Sequence, residues 1–344
     1  MEYNNATPIT NHTEHIRKRP GMYIGGTKIT GFKCLLQYFL VAIIKNGLED
    51  LIIEIGFHPS NKLKLKIKNI DTSTLIERLS KLNRSETYDL EFNCFIALSS
   101  EISITIHDIP GVVMFYGKQG ICDPVASTSQ EKEKSVLIDY QLDNSIFQDF
   151  NISYEQINYT LRQFSLLNPG LKIVSTDNAS IDFQQNVYYF PEGFKQEVDY
   201  ILSTYPYADH FLRIDKRERI DNYEYNISMC YGVYLRDSVI RSFAGTQELF
   251  FGGSLEDGIF DGLMFALKEL AEQKNEPVRL TRRLIKKNII VLASVQGPDY
   301  TYLGSTRWKL GMPNIRKAAK ELIIKHLKKH PDMTLNLLYR FSND

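Results

Sequence analysis

Two histidines near the carboxyl end of the sequence have a spacing that could bind a metal ion. His326 and His330 lie four residues apart in NIRKAAKELIIKHLKKH, whose apolar residues recur with the period of a helix. That spacing places both imidazoles on one helix face, and imidazole nitrogens are common zinc ligands. Lysines surround the pair, and the sequence offers no third ligand beside it. We therefore expect no metal ion in this protein.

A run of basic residues could instead contact phosphate groups. The stretch RLTRRLIKKN contains five basic residues and no acid: Arg279, Arg282, Arg283, Lys286 and Lys287. Such residues bind DNA phosphates without reading the base sequence, but the same pattern is typical of a solvated helix face. Because the formal net charge of the 344 residues is zero, DNA binding would have to come from such a local patch.

The composition indicates a cytoplasmic protein without a membrane partner. Hydrophobic residues make up 43% and charged residues 24%, and no apolar run is long enough to span a bilayer. The polar start MEYNNATPITNHTEH lacks the basic and apolar regions of a secretory signal. Four cysteines lie far apart without a C-x-x-C pair, which is typical of reduced thiols: Cys34, Cys94, Cys122 and Cys230.

Hydrophobic patterns divide the chain into two α/β halves. Residues 31–51 are apolar enough for a buried helix, and IIEIGFH and KLKLKIKNI predict antiparallel strands joined at residues 59–61. Further strand and helix patterns predict a mixed sheet backed by helices up to residue 204. The polar, charged residues 205–218 predict a domain boundary, after which strand patterns, two long helices and the buried strand NIIVLASVQG follow.

The segment RKRPGMYIGGT, at residues 17–27, resembles the opening motif of the B subunit of bacterial type II DNA topoisomerases, gyrase and topoisomerase IV. Four weaker matches follow in the family's order: ALSSEISITI, RQFSLLNPGLKI, FFGGSLEDGIFDGL and VLASVQGPDYTYLGSTRWKL. The resemblance implies an α/β fold, with a layered GHKL-type ATPase-like domain at residues 1–204. A ribosomal-protein-S5-like transducer domain is implied at residues 205–344.

The opening motif and the rest of the sequence support two further expectations. Within the motif we predict a solvated charge run at residues 17–19, a turn at Pro20 and Gly21, and a core strand at residues 22–24. The sequence has neither an E-G-D-S-A stretch nor a D-x-D pair, so we expect the DNA-cleaving (TOPRIM) region of the family to be missing.

The resemblance also locates the groups that would hydrolyse ATP. In the family, a glutamate on the first long helix activates water, and an asparagine one turn later holds magnesium. Aligned from Gly31, these places fall on Tyr38 and Ala42, which can do neither. The family's glycine-rich phosphate loop corresponds to NRSETYDLEFNCF, which has no glycine. The segment GVVMFYGK does not replace it, because its spacing is one residue too long for a P-loop.

Three residues keep part of the chemistry that the family uses to bind the nucleotide. Asn69 stands at the place of the aspartate that accepts from adenine, although Asp71, Thr72 and Ser73 replace the glycines that follow. Ser135 corresponds to a threonine that binds adenine through water. Arg307 corresponds to the transducer lysine that reaches the γ-phosphate, and an exposed loop arginine is the alternative interpretation.

Three functions compete under this resemblance. We expect a non-hydrolysing pseudo-ATPase, not an enzyme, that binds no cofactor and acts as a homodimer or by binding a type II topoisomerase subunit. The polar leader at residues 1–13 would then cross to the partner subunit. The first alternative is a genuine ATP- and magnesium-dependent topoisomerase subunit, in which a register shift brings Glu49 or Asp50 into the pocket. The second is an accessory protein that binds duplex DNA through a basic transducer surface.

Overall fold

The computed structural model describes residues 12–81, 89–108, 111–119, 121–126, 134–205, 212–232, 235, 237–276, 279–304 and 307–342. The side chains of residues 121–126 and 342 are outside this description, and most of the predicted leader also falls outside it. The chain forms two compact units, Met1–Pro191 and Glu192–Asp344. Among the described residues, no helix combines the length and apolarity needed to cross a membrane.

The first unit contains an eight-stranded sheet of order β5-β4-β3-β6-β2-β1-β7-β8. Its neighbouring strands are antiparallel except for β1 and β7, which are parallel. The predicted hairpin is confirmed, because β1 and β2 pair on either side of a 3-10 turn at Pro59–Asn61. The strands are β1 (Ile52–His58), β2 (Lys62–Lys68), β3 (Ser99–Asp108), β4 (Gly111–Lys118), β5 (Ile121–Ala126), β6 (Ser135–Leu142), β7 (Lys172–Asp177) and β8 (Gln184–Tyr189).

Helices cover the apolar face of this sheet and bury its core. The central helix α3 buries eight of its 16 residues, and its Phe39 stacks on Phe95 with ring centroids 4.5 Å apart. Phe95 stacks in turn on Tyr140 of the sheet at 4.1 Å. The helices of this unit are α1 (His12–Lys18), α2 (Pro20–Ile24), α3 (Ile29–Ile44), α4 (Thr72–Lys81), α5 (Leu90–Ala97) and α6 (Tyr154–Leu167).

The opening motif folds differently from our prediction. The predicted core strand is wrong: these residues form α2, which begins at Pro20 and ends at the left-handed Gly25, with φ of 75°. Of the run predicted to be solvated, Lys18 and Arg19 are exposed, but Arg17 is half-buried. Its guanidinium donates to the carbonyl of Ala97 at 2.7 Å and to Asp143 at 2.5 Å. Burial raises the pKa of Asp143, but hydrogen bonds from its neighbours outweigh burial and leave that pKa below its ordinary value.

The second unit contains a five-stranded sheet of order β12-β11-β13-β10-β9. The central strand β13 is buried along nearly its whole length, as predicted, and runs parallel to β11 and antiparallel to β10. The strands of the second unit are β9 (Leu212–Ile220), β10 (Tyr223–Tyr231), β11 (Val239–Ala244), β12 (Gln247–Glu248) and β13 (Ile289–Gln296). Its helices are α7 (Phe194–Leu202), α8 (Ser254–Lys274), α9 (Arg282–Ile285), α10 (Pro313–Lys329) and α11 (Pro331–Ser342).

The second unit begins earlier than residue 205, where the sequence pattern placed the boundary. Helix α7 belongs to it, because α7 packs on β10 and β13, and Phe194 stacks on Phe243 at 5.9 Å. The charged segment that predicted a boundary contains β9, which forms one edge of the second sheet. Charged residues are typical of edge strands, because they oppose pairing with other chains.

Candidate functional site

The residues at the family's catalytic places lie on α3 and supply neither a general base nor a metal ligand. The hydroxyl of Tyr38 donates to the carbonyl of Tyr23 at 3.1 Å. Ala42 is fully buried and presents only a methyl group. One turn later, buried Asn46 donates to the carbonyls of Ala42 and Ile43, and its own carbonyl oxygen has no hydrogen-bond partner among the described residues.

A carboxylate occupies the amino end of α5, the helix that begins where the resemblance places the phosphate loop. Asp89 caps this helix by accepting from the backbone N–H of Phe92 at 3.3 Å. A helix amino end is electropositive and carries free N–H groups, which is why it binds anions such as phosphate. In this chain the carboxylate of Asp89 already occupies the amino end of α5.

Arg78 supplies the counter-charge to this carboxylate. Its Nη2 lies 2.5 Å from Asp89 Oδ2, and its Nη1 donates to the carbonyl of Ala42 at 2.7 Å. The guanidinium also lies over the ring of Phe92, 4.8 Å from the ring centroid. The arginine therefore connects α4 with α3 and α5, and its hydrogen-bonding groups face the protein instead of an open cleft.

Sequence reasoning missed Arg78 and Asp89, although one signal was present. Asp89 directly precedes an apolar helical run, which is the pattern of an N-cap. Nothing in the sequence pairs Arg78 with Ala42, 36 residues earlier in the chain.

The end of β2, where the family recognises adenine, is closed by local hydrogen bonds. Asn69 is exposed, has a left-handed φ of 59° and donates its amide to the carbonyl of Asp50 at 2.8 Å. Asp71 accepts from the side chains of Ser73 and Thr74 at 2.6 Å each. These hydrogen bonds lower the pKa of Asp71 to about 2. The residues that replace the family's glycines therefore start α4.

Ser135 lies at the same end of the sheet as Asn69. It begins β6 directly opposite Lys68 of β2, and it is fully buried. Its hydroxyl has no hydrogen-bond partner among the described residues.

Glu49 and Asp50 are exposed and follow the end of α3. Their positions therefore do not support the alternative alignment, in which a register shift brings one of them into the nucleotide pocket.

Arg307 lies in the second unit on the loop between β13 and α10. It is exposed, has a left-handed φ of 58°, and forms no ion pair with any residue that the structure describes. This position agrees with the alternative interpretation of an exposed loop arginine.

The predicted basic run is partly neutralised, because α8 supplies acids that the local sequence does not contain. Arg282 pairs with Asp257 at 2.5 Å, and Lys286 pairs with Glu256 at 2.6 Å. The other three basic residues of the run are exposed: Arg279, Arg283 and Lys287.

His326 and His330 are neighbours, with ring centroids 4.5 Å apart. Burial lowers the pKa of His326 and the charges of His330 and Lys216 add to the shift, and together these effects bring it to about 4. Among the described residues, no three His, Cys, Asp or Glu side chains are grouped so that they could hold a metal ion.

Comparison with known proteins identifies the relatives of this fold. The family model for DNA gyrase B matches residues 193–337. The DNA gyrase B protein of Staphylococcus epidermidis is 21% identical over 351 residues, which cover 92% of this chain and 54% of that protein. The crystal structure of the B-subunit of the DNA gyrase from Myxococcus xanthus has a TM-score of 0.76 at 20% identity and covers 96% of this chain and 99% of that one. The chain is similar to the N-terminal region of gyrase B.

A second solved structure confirms the expected fold class. The 43K ATPase domain of Thermus thermophilus gyrase B, in complex with an aminocoumarin, has a TM-score of 0.74 at 17% identity and covers 96% of this chain and 93% of that one. The gyrase B-like chain thus has the predicted α/β fold of a GHKL-type domain followed by a transducer domain. It spans about half, 54%, of the length of the curated relatives it matches.

Proposed function

We propose that this gyrase B-like chain is a pseudo-ATPase that acts by binding, either to a second copy of itself or to a type II topoisomerase subunit. The observation that carries the proposal is the carboxylate of Asp89 at the amino end of α5. A triphosphate placed there would meet a like charge and would have to displace a helix cap. Loss of such a cap costs about 0.5–2 kcal/mol.

The two places on α3 support the same conclusion independently. Removal of a general base alone lowers a rate by roughly 10²–10⁴-fold, and the phenol of Tyr38 is hydrogen-bonded as a donor to a backbone carbonyl. Magnesium prefers oxygen ligands, and the side chain of Ala42 has none. The groups present therefore do not fit a bound magnesium triphosphate.

The test is thermal unfolding of the purified chain with magnesium and a non-hydrolysable ATP analogue, together with an ATPase assay. We expect no shift in Tm at millimolar analogue and no turnover above background. A ligand at 100 times its Kd would stabilise the chain by about 2.7 kcal/mol, which is easily measured. A shift accompanied by turnover that disappears in Glu49→Gln would overturn the proposal in favour of a genuine ATPase.

The mode of binding is tested by sedimentation analysis. We expect a concentration-dependent dimer, and a monomer at the highest concentration would exclude the homodimer and leave the topoisomerase subunit as the partner. Binding of duplex DNA through the basic run is disfavoured, because Arg282 and Lys286 are already paired with acids.

A further inference from the structure

Three aromatic side chains of the second unit stand exposed together. Phe250 and Phe251 precede α8 and are 64% and 68% exposed, and Trp308, on the loop before α10, is 39% exposed. The ring centroid of Trp308 lies 5.7 Å from that of Phe250 and 5.5 Å from that of Phe251. The backbone N–H of Phe251 donates to the carbonyl of Trp308 at 3.0 Å, which fixes the two segments together. We call these three residues the aromatic patch.

Exposure of the aromatic patch is unfavourable for an isolated chain. Removing large apolar side chains from water is favourable, and other large aromatic residues of this unit, such as Phe243 and Phe260, are buried. Contiguous exposed apolar side chains commonly mark a binding surface.

The charged residues that flank Trp308 in the sequence are positive. Arg307 and Lys309 flank Trp308, both are exposed, and neither forms an ion pair with a described residue. The sequence from residue 300 to residue 320 contains no aspartate or glutamate. In contrast to the paired cations of the basic run, these two remain available for a ligand that carries negative charge.

The order of groups in this loop indicates the chemistry of that ligand. A ring stands between two cations, in the order arginine, tryptophan, lysine. A single nucleic acid strand presents bases between phosphates in the same alternation, and aromatic side chains stack on unpaired bases of any type. In a duplex the base faces are stacked on one another and cannot be reached by the rings.

We propose that the aromatic patch, with Arg307 and Lys309, binds single-stranded nucleic acid without sequence preference. The rings stack on bases, and the two cations contact the adjacent phosphates. The inference does not depend on whether the site in the first unit hydrolyses ATP.

The chain contains a single tryptophan, so intrinsic fluorescence reports directly on the aromatic patch. The full chain is titrated with a thymidine oligonucleotide and, separately, with ATP. We expect saturable quenching by the oligonucleotide, with a slope of log affinity against log salt of about −1.4 for two phosphate contacts on a single strand. We expect ATP to bind much more weakly, because it offers one base and no second stacking partner.

Substitutions distinguish stacking from charge. Phe251→Ala should weaken oligonucleotide binding by roughly 5- to 150-fold, since one stacked base contributes roughly 1–3 kcal/mol. Arg307→Ala should reduce the salt slope by about 0.7. The matched control is Tyr200→Ala on α7, because Tyr200 is 66% exposed in the same unit but outside the aromatic patch. Its affinity should equal that of the unchanged chain.

Three outcomes would overturn the proposal. The first is the absence of quenching at low salt, and the second is equal affinity for ATP and the oligonucleotide. The third is a concentration-dependent fluorescence change without nucleic acid that Phe251→Ala abolishes, because the aromatic patch would then be an interface between copies of the chain.

Discussion

The guanidinium of Arg78 and the carboxylate of Asp89 lie 2.5 Å apart, with their side chains 19% and 18% exposed. Through the additional hydrogen bond to Ala42, this pair connects three helices at the place where the resemblance puts a nucleotide. Loss of one partner of an ion pair that is shielded from water lowers the stability of the protein more than loss of one partner of a surface pair does.

Replacement of Arg78 by alanine should destabilise the first unit by about 2–3 kcal/mol, because it leaves Asp89 and the carbonyl of Ala42 with fewer partners in a largely buried setting. Urea unfolding monitored by circular dichroism measures the effect. The matched control is Lys81→Ala on the same helix, whose ion pair with Glu77 is exposed and should contribute less than about 0.5 kcal/mol. Equal effects of the two substitutions would contradict the structural role of Arg78.

Replacement of Asp89 by asparagine should make the first unit sensitive to polyanions. Asparagine keeps the capping oxygen but removes the negative charge, which leaves Arg78 and the helix end electropositive. We expect tripolyphosphate to raise the Tm of Asp89→Asn by about 2–4 °C per kcal/mol of binding, and to leave the unchanged chain unaffected. An equal rise in both proteins would show that Asp89 does not exclude anions.

The close contact of α8 and α10 predicts a strong effect of a single methyl group. A Cβ at Gly258 would lie 2.3 Å from the carbonyl oxygen of Arg316 and 2.9 Å from Cβ of Ala319. Gly258→Ala should therefore destabilise the second unit by about 1–3 kcal/mol, despite the better helix propensity of alanine. Glu272→Ala, at an exposed position of the same helix, should change stability by no more than about 0.5 kcal/mol in a parallel urea titration.

The pH dependence of stability should include a contribution from His326. Burial, together with the charges of His330, Lys216 and Lys329, lowers its pKa from 6.5 to about 4, while the charge of Asp215 opposes the shift. Since the unfolded chain binds this proton more readily, the stabilising contribution is present above pH 6.5 and is lost as the pH falls toward 4.

Denaturant unfolding at several pH values checks this prediction. We expect His326→Gln to reduce the slope of stability against pH between 6.5 and 4. An unchanged slope would mean that other groups dominate in this window.

Local sequence patterns predicted the elements that depend on local interactions. The alternation of apolar residues identified β1 and β2. The motif residues 22–24 were mistaken for a strand, because three apolar residues do not distinguish a strand from one helical turn. The charged strand β9 was missed, because edge strands need not have a buried, apolar face.

The candidate site depends on long-range contacts, so only part of it could be predicted from the sequence. The resemblance aligned Tyr38 and Ala42 with the family's glutamate and asparagine, and both residues lie on the predicted first long helix, α3. The contact from Arg78 to Ala42 joins residues 36 positions apart on two different helices, so it depends on the tertiary fold. No periodicity or spacing in a single sequence carries that information.

The edge strand β9 of the second sheet and the edge strand β8 of the first sheet differ in charge. Strand β9, with the sequence LRIDKRERI, ends one sheet with both acids and bases, whereas β8, with the sequence QQNVYY, ends the other without a single charge. Val187 and Tyr189 of β8 are 55% and 44% exposed. A ninth strand added beside β8 would therefore meet open backbone groups and no electrostatic repulsion. The uncharged edge formed by β8 does not oppose pairing with a further strand, whereas the charged edge formed by β9 does.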